Sequence, residues 1–153
     1  MGSIIQFKHK ACGFKFDYFE GVGFSLFAKQ CHSRQYMRNG KWGEKWKKLI
    51  EEYPNGTATL NRMLCYCEQC KKYYHEPRIE FYIPKDGYCY EFGEEDDDFI
   101  DETTLYKRFQ LLESEIMLCP DCKKEALVME DIRRIKCPVC EGMIKGRDVG
   151  IWD

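Results

Sequence analysis

The stretch from residue 119 to residue 140 reads CPDCKKEALVMEDIRRIKCPVC and contains two Cys-Pro-x-Cys pairs. The two-residue gap within each pair lets one tight turn direct both sulfurs to a single point, and the proline presets φ in that turn. Fourteen residues, 123–136, separate the pairs, which is enough for one β-hairpin between the turns. Two facing turns supply four thiolates in a tetrahedron, the coordination that zinc prefers. The spacing therefore predicts a zinc site formed by Cys119, Cys122, Cys137 and Cys140.

A second site follows from the same spacing. Cys67 and Cys70 form another complete pair, and His9 and Cys12 have the same separation, with Gly13 available for a left-handed backbone after the turn. Neutral imidazole is a normal zinc ligand, so we predict a Cys3His site made of His9, Cys12, Cys67 and Cys70. The competing ligands are Cys65, Cys31 with His32, and His75. Cys65 is the weaker choice because it alternates with Cys67 and would face the other side of a strand.

The sequence contains 10 cysteines among 153 residues, and their role depends on whether the protein lies in a reducing or an oxidising compartment. The sequence shows neither an apolar run of about 18 residues that would span a membrane nor a signal-peptide pattern at its start. We therefore expect a cytoplasmic protein without membrane association, in which thiols stay reduced and a disulfide framework is excluded. Seven cysteines and His9 then hold two zinc ions per chain.

These residues resemble the zinc-ribbon family, also called rubredoxin-like zinc knuckles. The resemblance covers about residues 115–150 at the second pair of turns and is looser for the first. The chain as a whole is similar to a poorly characterised type of small bacterial protein, through Gly21-Val-Gly23 and Trp152-Asp153. The ribbon family implies a structural zinc on a three-stranded sheet, used to bind nucleic acid or protein.

The chain is predicted to be α+β, with small antiparallel-sheet zinc-ribbon modules and one amphipathic helix in an insertion. We expect an N-terminal module over residues 1–100, with knuckles at 9–12 and 67–70, and a C-terminal ribbon over residues 101–153. The helix follows Asn39-Gly40, carries Trp42, Trp46 and Ile50 at helical spacing, and stops before Pro54. Strands are expected at 6–10, 14–18, 73–83, 127–129 and 132–135, with 88–92 pairing back on 73–83 as a hairpin. Residues 104–118 fit either a helix or a strand.

The formal charge of −2 hides a gradient along the chain. Residues 1–50 hold ten Lys or Arg against three acids, whereas residues 51–118 hold seven against sixteen. The basic part could contact nucleic acid, with phosphates on cations and bases on the interleaved aromatic side chains, or it could be the solvated face of an amphipathic helix. Its candidate contacts are Arg34, Arg38, Lys41, Lys45, Lys47 and Lys48. A protein partner is the first expectation, with the acidic 91–102 segment as one contact.

The function predicted from these features is a non-enzymatic binding or adaptor module. A catalytic zinc keeps one position open for water, whereas each predicted set here is complete with four protein ligands. The sequence also lacks the zinc-protease, nucleophile-elbow, phosphate-loop and deaminase motifs. The alternatives are a rubredoxin-like iron electron carrier at Cys119, Cys122, Cys137 and Cys140, and a small metalloenzyme subunit.

Overall fold

The computed structural model describes residues 2–92 and 99–152, and it confirms the α+β class. Strands dominate, the sheets are antiparallel, and the four helices within the described ranges are short. None of the described helices is long and apolar enough to cross a membrane. The elements in chain order are β1 (Gly2–His9), β2 (Phe14–Glu20), α1 (Gly23–Cys31), α2 (Ser33–Arg38), α3 (Glu44–Glu52), β3 (Thr57–Cys67), β4 (Lys72–Pro84), α4 (Glu102–Arg108), β5 (Phe109–Ser114), β6 (Leu127–Val128), β7 (Arg134–Lys136), β8 (Met143–Lys145) and β9 (Arg147–Trp152).

The chain divides into two compact units, and neither is a continuous segment. Unit 1 comprises Met1–Phe24, Asn61–Arg78 and Ile116–Asp153, and unit 2 comprises Ser25–Leu60 and Ile79–Glu115. The predicted division into residues 1–100 and 101–153 is therefore not the one observed. The reason lies in unit 1, where β1 pairs antiparallel with β9 and so places the first and last described strands in one sheet.

The first sheet has the strand order β2-β1-β9, with β1 in the centre. Ile5 and Phe7 are fully buried, while Gln6 and Lys8 alternate with them on the other face. Tyr18 pairs with Ile5 across the sheet and is also buried. These side chains form one core of unit 1 with Leu64, Ile135 and Ile144. The strands predicted at 6–10 and 14–18 are confirmed within β1 and β2.

The second sheet has the order β5-β4-β3-β6, and β7 and β8 form a separate hairpin. The strand predicted at 73–83 is confirmed as β4, but its predicted hairpin partner at 88–92 is wrong. Pairing with β4 comes from β5, in a register that joins Tyr82 to Leu111. Tyr88, Tyr90 and Phe92 instead pack against the cluster that contains Phe109. These rings are partly buried, and residues 88–92 form no strand in the structure.

Residues 104–118 use both of the conformations that their sequence allows. The helix α4 begins after Asp101, whose carboxylate accepts a hydrogen bond of 2.9 Å from the Thr104 backbone N–H. This is an N-cap, which satisfies one of the free amides of the first turn. The chain turns extended at Phe109 and continues as β5. The acidic residues 94–98 lie outside the described residues.

Unit 2 contains the predicted amphipathic helix as α3, which begins at Glu44, so that Trp42 lies in the turn before it. Trp46 and Ile50 are buried there in a cluster with Met37 and Phe81. Arg34 is also buried in this unit, where its guanidinium donates to the Pro54 carbonyl at 2.9 Å and lies 3.5 Å from the centroid of the Phe92 ring. Arg34 is therefore a structural residue of unit 2 rather than part of an exposed basic surface.

Candidate metal centres

The eight residues predicted as metal ligands gather into two clusters of four, both within unit 1. In each cluster the four candidate ligand atoms all lie within 4.8 Å of one another. The first cluster consists of His9, Cys12, Cys137 and Cys140, and the second consists of Cys67, Cys70, Cys119 and Cys122.

The pairing of the turns differs from the prediction. The turn at 137–140 joins the turn at 9–12, and the turn at 119–122 joins the turn at 67–70, so the two sets are nested. The predicted hairpin between the last two turns is also wrong. Within residues 123–136, β6 pairs with β3 and β7 pairs with β8. The β1–β9 and β3–β6 pairings therefore decide which knuckles meet, and short spacing along the chain does not.

Each knuckle is the turn of its own local hairpin. The first connects β1 to β2, the second connects the neighbouring strands β3 and β4, and the fourth connects β7 to β8. The third is closed by a bridge between Leu118 and Glu125. A hairpin turn exposes successive backbone N–H groups on its inner side, and these can hydrogen-bond to thiolate sulfur.

The residue after each knuckle has a left-handed backbone. Gly13 has φ 73°, and the three non-glycine residues at the equivalent position are Lys71 (53°), Lys123 (60°) and Glu141 (61°). The same turn hydrogen bond recurs from Gly13 N–H to the His9 carbonyl, from Lys123 to Cys119 and from Glu141 to Cys137, each at 2.9 Å. The sequence signalled this conformation only at Gly13. This shared geometry groups the His9 knuckle with the cysteine knuckles.

In the first cluster, Nδ1 is the His9 ring nitrogen that contacts the thiols. That nitrogen lies 3.3 Å from Cys12 Sγ and 3.0 Å from Cys140 Sγ. Cys12 Sγ is in turn 3.3 Å from Cys137 Sγ and 3.8 Å from Cys140 Sγ. Sulfurs bound to one tetrahedral zinc at about 2.3 Å lie about 3.8 Å apart, so these separations are close to those of a metal-bound set.

The second cluster is made of thiols alone. Cys67 Sγ lies 3.5 Å from Cys122 Sγ, and Cys119 Sγ lies 3.8 Å from Cys70 Sγ. The Cys70 backbone N–H donates to Cys67 Sγ at 3.3 Å. Cys67 and Cys119 are both 1% exposed, whereas Cys70 and Cys122 are partly exposed, so two of the four thiols are shielded from solvent.

Backbone N–H groups favour the thiolate form of one cysteine in each cluster. The Cys122 N–H lowers the pKa of Cys119 to about 7 although burial opposes it. Burial raises the pKa of Cys137, but the N–H groups of Cys140 and Val139, together with Cys12 and His9, bring it down to about 6. Thiolate is the form that binds a metal, so the turns prepare these two sulfurs for coordination.

The competing ligands lie outside both clusters. Cys65 is fully buried, and burial raises the pKa of its thiol to about 11, which is the behaviour of a small core residue. His75 contacts the rings of Phe16 and Phe19, with centroids 6.0 and 5.2 Å away. The remaining competitors, Cys31 and His32, belong to unit 2. All ten cysteines lie in the described part of the chain, and all are free of disulfide bonds.

Comparison with known proteins leaves the clusters as the main guide to function. No family model, curated protein or solved structure matches the chain. The donor chemistry is nevertheless informative, because thiolate and imidazole in tetrahedral sets are typical of zinc and of iron with sulfur ligands, whereas calcium and magnesium take oxygen ligands. The two clusters are thus geometrically compatible with zinc-binding knuckles.

Proposed function

We propose that the protein is a non-enzymatic zinc-ribbon module that binds protein or nucleic acid and is held folded by two structural zinc ions. The observation that carries this proposal is the completeness of both clusters, each of which has four donors on two knuckles. Four protein ligands fill a tetrahedral shell, and a structural zinc site is closed in this way. The zinc would cross-link distant segments of the chain and leave the surface of unit 1 for recognition.

The energetics support a structural role for the metal. Structural zinc contributes about 10–16 kcal/mol of apparent binding free energy near neutral pH in small modules. The whole free energy of unfolding of a typical domain is about 5–15 kcal/mol. The described part of unit 1 contains only β1–β2, parts of β3 and β4, β6–β9 and connecting turns, with α1 beginning at its edge. An ion at each cluster would join turns that lie far apart in the sequence, so both ions would add to the stability of this unit.

Metal analysis and chelation test this proposal together. We expect two zinc ions per chain in purified protein, and loss of the folded circular-dichroism spectrum when a chelator removes both. Substitution with Co²⁺ gives a separate readout, because ligand-field bands in the visible range report tetrahedral thiolate coordination. The matched control is the Cys31→Ser, Cys89→Ser double variant, which removes two thiols outside the clusters and should keep both ions. A metal-free chain with an unchanged spectrum would show that the zinc has no structural role.

The second cluster favours one other candidate function. Its four thiols and the N–H···S contact at Cys67 are also the environment of a rubredoxin-like iron that carries electrons. This assigns the iron alternative to Cys67, Cys70, Cys119 and Cys122, because the sulfur set first predicted for it is divided between the two clusters. A red protein with iron in one-to-one ratio would support the electron carrier, whereas a colourless protein with two zinc ions would exclude it.

A further inference from the structure

A cleft of about 410 Å³ opens beside β1, and its charged lining residues are all cations. Lys8, Lys10, Lys145 and Arg147 line it, without a carboxylate. A smaller cleft of about 220 Å³ shares Lys8 and Lys10 and adds Lys15. We call these two adjoining depressions the basic cleft. It lies wholly in unit 1 and borders the first metal cluster through His9.

The fold places these cations together through close backbone packing. Gly146 is buried between Lys145 and Arg147, and a Cβ at this position would lie 2.5 Å from Ile5 Cγ2 and 2.8 Å from Phe7 Cε1. Only glycine therefore lets the chain from β8 to β9 lie against the core here. Arg147 then pairs in register with Gln6 of β1. The larger cleft is therefore lined by cations from β1, the turn after it, β8 and β9.

The repulsion between these cations destabilises the fold when no ligand is bound. Lys8 lies directly opposite Lys15 in the β1–β2 register, and like charges in such positions repel. Lys15 has a contact of 3.6 Å to Asp17, whereas Lys8, Lys10, Lys145 and Arg147 make no ion pair within residues 2–92 and 99–152. Unit 1 holds 14 Lys or Arg against 11 Asp or Glu, a formal charge of +3 in a chain of −2. An anionic ligand would neutralise these unpaired cations.

We propose that the basic cleft binds the phosphodiester backbone of a single-stranded nucleic acid. This rests on the proposed function, since it names the partner of the binding module. The cleft collects four cations from β1, the turn after it, β8 and β9, and a chain of repeated phosphates offers each of them an anionic contact. Met143 and Val149, 62% and 53% exposed, lie in the same cleft and offer apolar surface to unpaired bases. The carboxylate side chains of an acidic peptide would not cover the apolar surface of Met143 and Val149.

The test uses the zinc-loaded full chain and fluorescence anisotropy with a labelled oligo(U) or oligo(dT) strand. The cleft variant is Lys8→Gln, Lys145→Gln, Arg147→Gln. The matched control is Lys41→Gln, Lys45→Gln, Lys48→Gln, which removes the charges of three exposed lysines of unit 2. Zinc content and circular dichroism are measured on each variant, so that a loss of fold is recognised. Unlabelled polyglutamate serves as the acidic-peptide competitor.

The cleft variant should bind about tenfold more weakly or worse at low salt, and the control should match the wild type within about twofold. The slope of log affinity against log salt should become shallower by about 2, because each lost contact to a single strand removes about 0.7. Equal binding by the cleft variant and the wild type would overturn the proposal. The proposal would also be overturned if polyglutamate displaced the labelled strand as readily as unlabelled strand does. Absence of zinc would instead contradict the proposed function.

Discussion

Cys12 Sγ lies 3.3 Å from Cys137 Sγ, although 125 positions separate the two residues in the chain. A metal ion at this point would therefore close a loop that contains most of the protein. The second cluster lies inside that loop, and its Cys67 Sγ and Cys122 Sγ are 3.5 Å apart. The two ions would act as nested cross-links.

The left-handed residue after the third knuckle gives a prediction about stability. Lys123 has φ 60°, a conformation that costs a non-glycine residue about 1–2 kcal/mol. We expect Lys123→Gly to raise the free energy of unfolding by about 1 kcal/mol, because glycine removes this cost while its greater freedom in the unfolded chain offsets part of the gain. Urea unfolding at saturating zinc measures the change. Lys124→Gly removes a similar exposed side chain at a position without positive φ, and it should be neutral or destabilising. A stabilisation of Lys124→Gly equal to that of Lys123→Gly would contradict the explanation.

The packing of Trp152 on Gly23 gives a second prediction. Gly23 is buried with φ 61°, and a Cβ there would overlap the indole ring of Trp152. That ring is held by a hydrogen bond of 2.9 Å from its Nε1 to the Glu20 carbonyl. Gly23→Ala should therefore lower the free energy of unfolding by more than about 2 kcal/mol, since overpacking adds to the cost of the left-handed backbone. The tryptophan emission maximum should also shift.

Gly13→Ala is the control for this variant. Gly13 has φ 73°, but a Cβ there would meet no atom within 4 Å. The expected loss is about 1–2 kcal/mol, from the backbone conformation alone. Equal losses for the two variants would show that the indole contributes nothing to the requirement for glycine at position 23.

Tyr18 gives a prediction about alkaline pH. Burial raises the pKa of Tyr18 to about 12, and its hydroxyl donates a 2.7 Å hydrogen bond to the Arg62 carbonyl. Because the folded pKa lies above the unfolded value of about 10, this group stabilises the fold below pH 10, and the contribution is lost as the pH rises through 12. Tyr18→Phe should lower the free energy of unfolding by about 1 kcal/mol at pH 8. The ultraviolet titration of tyrosinate should lose a component that ionises near pH 12. An unchanged titration curve would show that Tyr18 ionises with the exposed tyrosines.

The sequence predicted the local parts of the structure well. The alternation around Ile5 and Phe7, the helical spacing of Trp46 and Ile50, and the two-residue gaps of the knuckles are short-range patterns, and each is found in the structure. Each depends on residues a few positions apart, so the periodicity of one element is enough to recognise it.

Which knuckles share a cluster depends on pairing between strands that are distant in the sequence. The spacing of the cysteines along the chain does not contain this information. Cys137 joins Cys12 because β1 pairs with β9, in a register that places Gln6 opposite Arg147. The knuckle at Cys119 joins that at Cys67 beside the pairing of Tyr66 with Leu127. One signal was present in the sequence: a hairpin around each knuckle leaves too few residues for a further hairpin between Cys122 and Cys137.

Counting the metal ions retained by two double variants in native mass spectrometry tests the nested pairing most directly. Cys12→Ser, Cys137→Ser removes two ligands of one cluster and should retain one zinc ion. Cys119→Ser, Cys137→Ser removes one ligand from each cluster and should retain none with native affinity. The reverse result, with one ion kept by Cys119→Ser, Cys137→Ser and none by Cys12→Ser, Cys137→Ser, would contradict the nested arrangement and restore the pairing of neighbouring knuckles.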